Sequence, residues 1–557
     1  MAEQLAWWQK TIAYEAYPKS FQDTKGAGTG TIAGITSRLD HLASLGVGAL
    51  WLTPMYKSPQ KDNGYDVQDY YQIDPSYGTM GDFDELLAQA DARGIKIVMD
   101  LVFNHTSDEN PWFVESSSSR DNAKADWYVW ADPKPDGSVP TNWRSCFGGS
   151  AWEWCEARQQ YYLHTFGTYQ PDLNWECPEV RQAIYDVANW WVAKGVGGFR
   201  IDAITFIKKP AVFADAEPDA GDGMVDVRSV TGNVPGILDF LHEFKRQVRD
   251  GHDIFTVGEA NMVAAEELPQ WVGRDGVFDM VFGFEHTKVP LGGTEVWYHK
   301  VDWKKSTLVR ELVKTEDAVA GLGWCPVFFE NHDQPRSVDH FLPEAVPAGR
   351  TDDAAKALGM LLLTMRGTPF IYQGEELGVC NLHLPSIDLY NDPQSKSTYA
   401  EALAAGLSEQ EALEAVWGYS RDNARTPMHW DDTANAGFTT GTPWLAVNEQ
   451  YKTHNVAAES ADPDSVLAWY RRLVALRGEL PVLVDGDFTE LVPGDEQVFG
   501  YARKDAETEA LVFVNLSPEP ATYDTALVAG AELAASSQGA DAQPGALRPY
   551  EAVVYRR

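Results

Sequence analysis

A (β/α)8 barrel, with a loop-rich insertion after its third strand and a C-terminal antiparallel β domain, is the fold class this sequence predicts. Three observations predict it. Over the first four-fifths of the 557 residues, short β-branched or apolar runs alternate with stretches of helical period, the pattern of repeated βα units. From about 107 to 175 that alternation gives way to a segment rich in Trp, Ser, Asp and Pro. After about 482 it turns into short alternating strands broken by turn residues.

The elements follow in order. Eight runs read as parallel strands: TIAYEAYP, GVGALWLTPMY, IKIVMDLVFNHT, GVGGFRIDAI, DIFTVGEA, GVFDMVFGFEH, CPVFFENHDQP and TPFIYQGEE. Between them lie helical stretches such as ITSRLDHLASLG, DFDELLAQADARG, VRQAIYDVANWWVAKG, LDFLHEFKRQVRDG and AAKALGMLLLTMRG, several stopped by Gly. The expected organisation is therefore barrel over 1–106, insertion over 107–175, barrel again over 176–481 and β domain over 482–557. The amphipathic SEQEALEAVWGYS places a helical excursion at about 375–420. A barrel loop as long as the insertion is usually functional.

Composition excludes several classes. With 82 acidic and 45 basic residues the formal charge is −37, a field that repels nucleic acid and anionic membranes. No apolar stretch is long enough for a membrane span, and the start MAEQLAWWQK lacks the basic end and apolar middle of a signal peptide, so a cytoplasmic protein is expected. The five cysteines show no C-x-x-C spacing and read as free thiols. The 20 tryptophans suit either a large core or the stacking of sugar rings. A monomer or small homo-oligomer is expected.

In a (β/α)8 barrel the chemistry sits at the carboxyl ends of the strands. The third candidate strand ends in Asn104-His105, the fourth in Arg200-Ile201-Asp202, the fifth in Glu259 and the seventh in Asn331-His332-Asp333. Three acids converging on one pocket suit glycosidic bond cleavage, which needs one carboxylate as nucleophile and one protonated acid for the leaving oxygen. Arg200, two residues before Asp202 and so on the same side of the strand, is expected to keep Asp202 ionised. Glu259 is expected to keep its proton in a drier site among other negative groups. Each acid taken alone could merely cap a following helix; the three together favour the site. His105 and His332, as neutral imidazoles, could donate to sugar hydroxyls or be satisfied core histidines.

The motifs DLVFNHTS (100–107), GFRIDA (198–203), GE (258–259) and ENHDQPR (330–336) occur in this order. NGYDVQDYYQIDPSYGT, QPDLNWECPEVR, IYQGEELG and SRDNARTPMHW add to them. Through these motifs, which span nearly the whole chain, the sequence resembles glycoside hydrolase family 13, the α-amylase family, in its oligo-1,6-glucosidase and α-glucosidase branch. The resemblance implies Asp202 as nucleophile, Glu259 as acid/base and Asp333 as the carboxylate that stabilises the transition state. It further implies that Asp66, His105, Arg200 and His332 hold the first sugar, with Tyr65 as stacking platform and Phe166 as wall. Asp66 would pair with Arg425 to read the non-reducing end, which makes the enzyme exo-acting on a small oligosaccharide.

Many relatives carry a calcium loop near the first strand. Here QDTKGAGTGTIAG keeps Asp23 but has Lys25, Ala27 and Thr31 at the other ligand positions, so no calcium and no other cofactor is expected, with Lys25 supplying the positive charge. Ala203 after the nucleophile, where the α-1,6 group tends to carry Val, leans the specificity to α-1,4 or mixed linkages. Trehalose-6-phosphate hydrolase is the competing reading. YPKSFQDTKGAGTG and PTNWRSCFGGSAWEW resemble that group, and Lys288 stands where it keeps a phosphate-contacting lysine; Ala203 and the absence of a second base in GGTEVW oppose it. A sucrose isomerase is less favoured, since QPRSVDHF lacks the charged loop linked to isomerisation. A catalytically dead relative is opposed by the three retained acids.

Overall fold

The computed structural model describes residues 5–219, 222–293, 296–299 and 301–557. The first residues of the stretch read against a signal peptide, and Thr294 and Glu295 of GGTEVW, lie outside the described residues. All eight runs read as strands form one sheet: β1 (Ala13–Ala16), β2 (Ala49–Leu52), β3 (Lys96–Val102), β4 (Gly198–Asp202), β5 (Phe255–Glu259), β6 (Met280–Phe282), β7 (Pro326–Val327) and β8 (Thr368–Tyr372). Their hydrogen-bonded order is β6-β5-β4-β3-β2-β1-β8-β7, that of a (β/α)8 barrel. β1, β4 and β8 are buried at every position, as parallel strands covered on both faces must be.

The chain divides into two compact units, one of 1–50, 89–95 and 284–557, the other of 51–88 and 96–283. In the second unit, β4 lies parallel to β3 and β5 with Arg200 opposite Asp100 and Val257. A Cβ on Gly198 would meet the Phe255 carbonyl oxygen at 2.4 Å, so glycine sets how closely β4 and β5 approach. The helix Pro178–Lys194 starts with Pro at its first turn and stops at Gly195 with φ 103°. It buries Val180, Ile184, Val187, Ala188 and Trp191, one stripe of a 3.6-residue period.

The insertion after β3 begins with the helix Pro111–Ser118 and builds an antiparallel sheet in the order Trp130–Ala131, Gln160–Leu163, Trp152–Cys155. Its core of Trp143, Trp152 and Leu163 also takes in Val225 and Val227. Trp143–Arg144 pairs with Val225–Asp226, so a segment well beyond the expected end at 175 completes it.

In the first unit, β1 pairs with β8 (Ala13 opposite Phe370, Glu15 opposite Tyr372) and β8 with β7. The helical excursion is a pair, Pro393–Ala404 and Glu409–Tyr419, the second opened by a Ser408–Glu411 capping box. The C-terminal antiparallel sheet has the order Asp487–Glu490, Val498–Lys504, Glu509–Asn515, Ala552–Arg556, Glu532–Ser536. Arg503, fully buried in that sheet, reaches Glu316 of the helix Lys305–Val319 at 2.9 Å. One helix reading differs: the stretch after β1 is two short helices, Ile32–Ser37 and Leu39–Ser44, which meet at Arg38, whose Nε donates to Gln22. All five cysteines are free thiols. No helix among the described residues is long and apolar enough to cross a membrane.

Candidate active site

Within the second unit the candidates gather around one guanidinium. Arg200, only 3% exposed in its side chain, donates from Nη1 to both oxygens of Asp100 (2.9 and 3.0 Å) and to Asp202 Oδ1 (2.7 Å). Its Nη2 donates to Glu259 Oε2 at 2.8 Å. The register explains the first contact, since Asp100 and Arg200 stand opposite each other on β3 and β4. Three carboxylates on one cation leave the cluster short of positive charge. Burial first, and then the neighbouring Glu259 and Asp100, push the Asp202 carboxyl well above the usual carboxylate range against the pull of Arg200. The cation expected to keep Asp202 ionised does pull its pKa down, but it is shared three ways.

Glu259 accepts from three donors: Arg200, the Ala203 backbone N–H at 2.8 Å and Asn261 Nδ2 at 3.1 Å. Beside the negative groups expected near it, Glu259 thus has three donors. Ala203 adopts φ 45° and ψ 35°, a left-handed conformation rare for a residue with a side chain, and it aims this N–H at Glu259.

The other expected residues of this unit connect to the cluster through Asp100 and His105. Tyr65 donates its hydroxyl to Asp100 at 2.9 Å, as does Trp51 Nε1 at 3.2 Å. Asp66 accepts from Ser58 Oγ, Lys61 N and Asp62 N at 2.9–3.0 Å; burial, the larger effect, still raises its pKa. His105 is buried, and burial lowers its pKa to about 4, so it is neutral at neutral pH. Phe166 packs 5.2 Å from the His105 ring and 6.1 Å from Phe206.

Within the first unit Asp333 meets three cationic groups. Arg425 Nη2 reaches its Oδ1 at 2.5 Å, His332 Nε2 its Oδ2 at 3.2 Å, and Arg421 Nη1 lies 3.5 Å away. Burial disfavours the charged form, but His332 and the two arginines outweigh it and hold the Asp333 carboxyl well below the usual range. His332 Nδ1 donates to Glu15 at 2.6 Å and its ring stacks on Tyr17. Burial opposes its charge, yet Asp333 and Glu15 raise its pKa to about 9. His332 is therefore an imidazolium at neutral pH, a correction to the neutral imidazole expected. Arg425 also donates from Nε to the His332 carbonyl at 2.9 Å. Lys288 Nζ lies 3.8 Å from Glu285, too long for a hydrogen bond.

Asp23 has all four acceptor sites filled. Oδ1 accepts from Lys25 N and Gly26 N, Oδ2 from Gly28 N and the Thr439 hydroxyl, and these bonds outweigh burial to lower its pKa. Lys25 contributes its backbone amide to this loop. Among the described residues no group of three or more His, Cys, Asp or Glu is placed to hold a metal ion.

Sequence reasoning misses Asp100, Glu15, Asn261 and Arg421. For two of them a signal exists: an acid inside an apolar strand, as in AYEA and KIVMDLV, must find a partner when buried. Nothing in the sequence marks Asn261.

Comparison with known proteins accords with this architecture. The sequence pattern of the alpha amylase catalytic domain matches residues 15–486. The chain is 43% identical to the probable oligo-1,6-glucosidase 3 of Bacillus subtilis over 99% of both chains. The structure of trehalose-6-phosphate hydrolase from Bacillus licheniformis is 39% identical, with a TM-score of 0.92 over 99% of this chain and 100% of that one. The trehalulose synthase MutB of Pseudomonas mesoacidophila is 37% identical, with a TM-score of 0.92 over 100% of both. On sequence, strand order and full-length similarity together, the chain belongs to the α-amylase family of glycoside hydrolases.

Proposed function

We propose that the chain is a retaining, exo-acting α-glucosidase that releases glucose from the non-reducing end of short α-1,4 or α-1,6 glucosides, with sucrose as a further candidate. One observation carries it: two nitrogens of the Arg200 guanidinium hold Asp202 and Glu259 side by side. Such a bracket matches carboxylates about 5 Å apart, the spacing of retaining enzymes, where an inverting one needs room for a water between them.

In the proposed reaction Asp202 attacks the anomeric carbon while Glu259 gives its proton to the leaving oxygen, forming a glucosyl ester. Glu259 then takes a proton from water, which attacks the same carbon and releases Asp202. Arg200 balances only part of the combined charge of Asp100, Asp202 and Glu259. The glycosidic oxygen of the substrate accepts the Glu259 proton as its bond to the anomeric carbon breaks. Asp333, kept ionised by His332 and Arg425, is an acceptor for sugar hydroxyls throughout. Asp66 and Arg425 would recognise the terminal sugar.

Side-by-side rates on maltose, isomaltose, sucrose, trehalose and trehalose 6-phosphate test this, with glucose emerging first as its α anomer. Dominant turnover of trehalose 6-phosphate would replace the reading. The relative's activity favours that second reading, together with Lys288 at the position where the resemblance puts a phosphate-contacting lysine. The charge of −37 opposes it.

Ala203→Val should lower the maltose-to-isomaltose rate ratio roughly tenfold, because added bulk beside Asp202 narrows the angle open to the leaving sugar. It should also cost about 1–2 kcal/mol of stability, since a β-branched residue resists φ 45°. An unchanged ratio would separate Ala203 from linkage choice. We further propose that the Asp23 loop needs no calcium: a carboxylate with four donors offers no ligand. Melting temperature and rate should be the same in EDTA and in millimolar calcium, and a calcium-dependent rise in either would refute this.

A further inference from the structure

We propose that Lys209 is a positioning residue that fixes the tautomer of His105 through the side-chain amide of Asn104. The catalytic consequence rests on the glucosidase reading; the tautomer does not. Lys209 is buried, with 7% of its side chain exposed, and its ammonium has three donors and no acceptor. Each donor meets a different segment: Asn104 Oδ1 after β3 (3.0 Å), Asp172 Oδ2 at the end of the insertion (2.7 Å) and the Phe206 carbonyl after β4 (2.5 Å).

These contacts dictate how Asn104 points. Its oxygen must face the ammonium and its Nδ2 must face the carboxylate, and Nδ2 indeed donates to Asp172 Oδ1 at 3.2 Å. The same Nδ2 lies 3.2 Å from His105 Nδ1. A ring nitrogen facing only a donor has to be the acceptor, so the proton belongs on Nε2. There the Tyr65 carbonyl accepts at 3.2 Å. Gln170 Nε2, held by donation to Asp62 at 2.9 Å, presents a second donor 3.2 Å from Nε2. Donors on both sides of the ring disfavour an imidazolium, and the one acceptor selects Nε2–H.

Charge works in the same direction. His105 feels Asp172, which favours a proton on the ring, and Lys209, which opposes it. Asp172 also faces His164, and the Cys146 thiol lies near Lys209. Without the ammonium, Asn104 is free to turn and a buried carboxylate stands beside His105 with no counter-ion. His105 would then take up a proton and lose its Nδ1 acceptor.

The test is the histidine ring 15N spectrum at pH 7 without substrate, with His105 and His164 assigned from His105→Gln and His164→Gln. Wild type should show His105 as the Nε2–H tautomer, Lys209→Met as an imidazolium, and Lys209→Met with Asp172→Asn as neutral again. In parallel, the acid limb of kcat/KM should move up by about one pH unit in Lys209→Met and return in the double variant. A Lys209→Met spectrum and pH profile like wild type, or uptake of the proton by His164 instead, would overturn the proposal. Should Lys209→Met not fold, Asp172→Asn decides, because Lys209 still pins Asn104 there and loss of the Nε2–H tautomer would count against the relay. If wild type hydrolyses no α-glucoside, the glucosidase reading fails while the spectra still settle the tautomer.

Discussion

Asp202→Asn is expected to lower turnover of the best α-glucoside by at least about 10⁴-fold while leaving the thermal transition in place. An amide cannot form the glucosyl ester, so no leaving group, however activated, should rescue the variant. Glu259→Gln should lower turnover by about 10³-fold on natural substrates and far less on an aryl glucoside whose leaving group needs no proton. The contrast between the two substrates assigns the roles, because only loss of the acid is forgiven by a better leaving group. Neither change should unfold the protein. In Glu259→Gln the amide oxygen still accepts from Arg200 and Ala203, and Asp202→Asn removes one negative charge from a cluster that has too many. Near wild-type turnover by either variant would refute the mechanism.

Arg200→Met is expected to be the most destabilising single change in the site. It leaves Asp100, Asp202 and Glu259 without their shared cation, and breaking a buried pair from one side costs about 3–5 kcal/mol. The pH dependence gives a sharper test. Carboxyls without a cation have folded pKa values raised above the unfolded ones, so the folded state binds more protons and stability falls as pH rises through that window. The melting temperature of Arg200→Met should therefore rise on going from pH 7 to pH 5, by more than wild type changes. A variant equally unstable at both values would show that Arg200 acts through packing on Trp51 and Tyr65 rather than through charge.

The strand ends are legible in the sequence because a parallel barrel gives every strand the same polarity, so the residue at each carboxyl end shares one face. Asp202 and Glu259 close β4 and β5 as read, whereas His332 and Asp333 lie five and six residues past Val327, the last residue of β7. The state of those groups is not legible. Arg200 precedes Asp202 by two residues, and that spacing suggests an exclusive ion pair; the competitor Asp100 is a hundred residues away and meets Arg200 only through the β3–β4 register. His332 is charged because two carboxylates meet its ring, its neighbour Asp333 and Glu15, the latter on a strand formed some three hundred residues earlier. Left-handed backbone at Ala203 has no sequence sign, since alanine is an ordinary helix and strand residue.

The pairing of β1 with β8 also bears on how the chain is made. Ala13 waits for Phe370, so during synthesis the first strand emerges and then stays without its neighbour for on the order of tens of seconds. Through that interval its backbone is an open edge among nascent chains. The strand is only four residues long and carries Glu15 in its middle, a charge that discourages a stray strand from docking there. Once β7 and β8 emerge, the same carboxylate becomes the partner of His332. One residue thus blunts an edge of the unfinished polypeptide and later, with Asp333, holds the charge of a histidine in the finished fold.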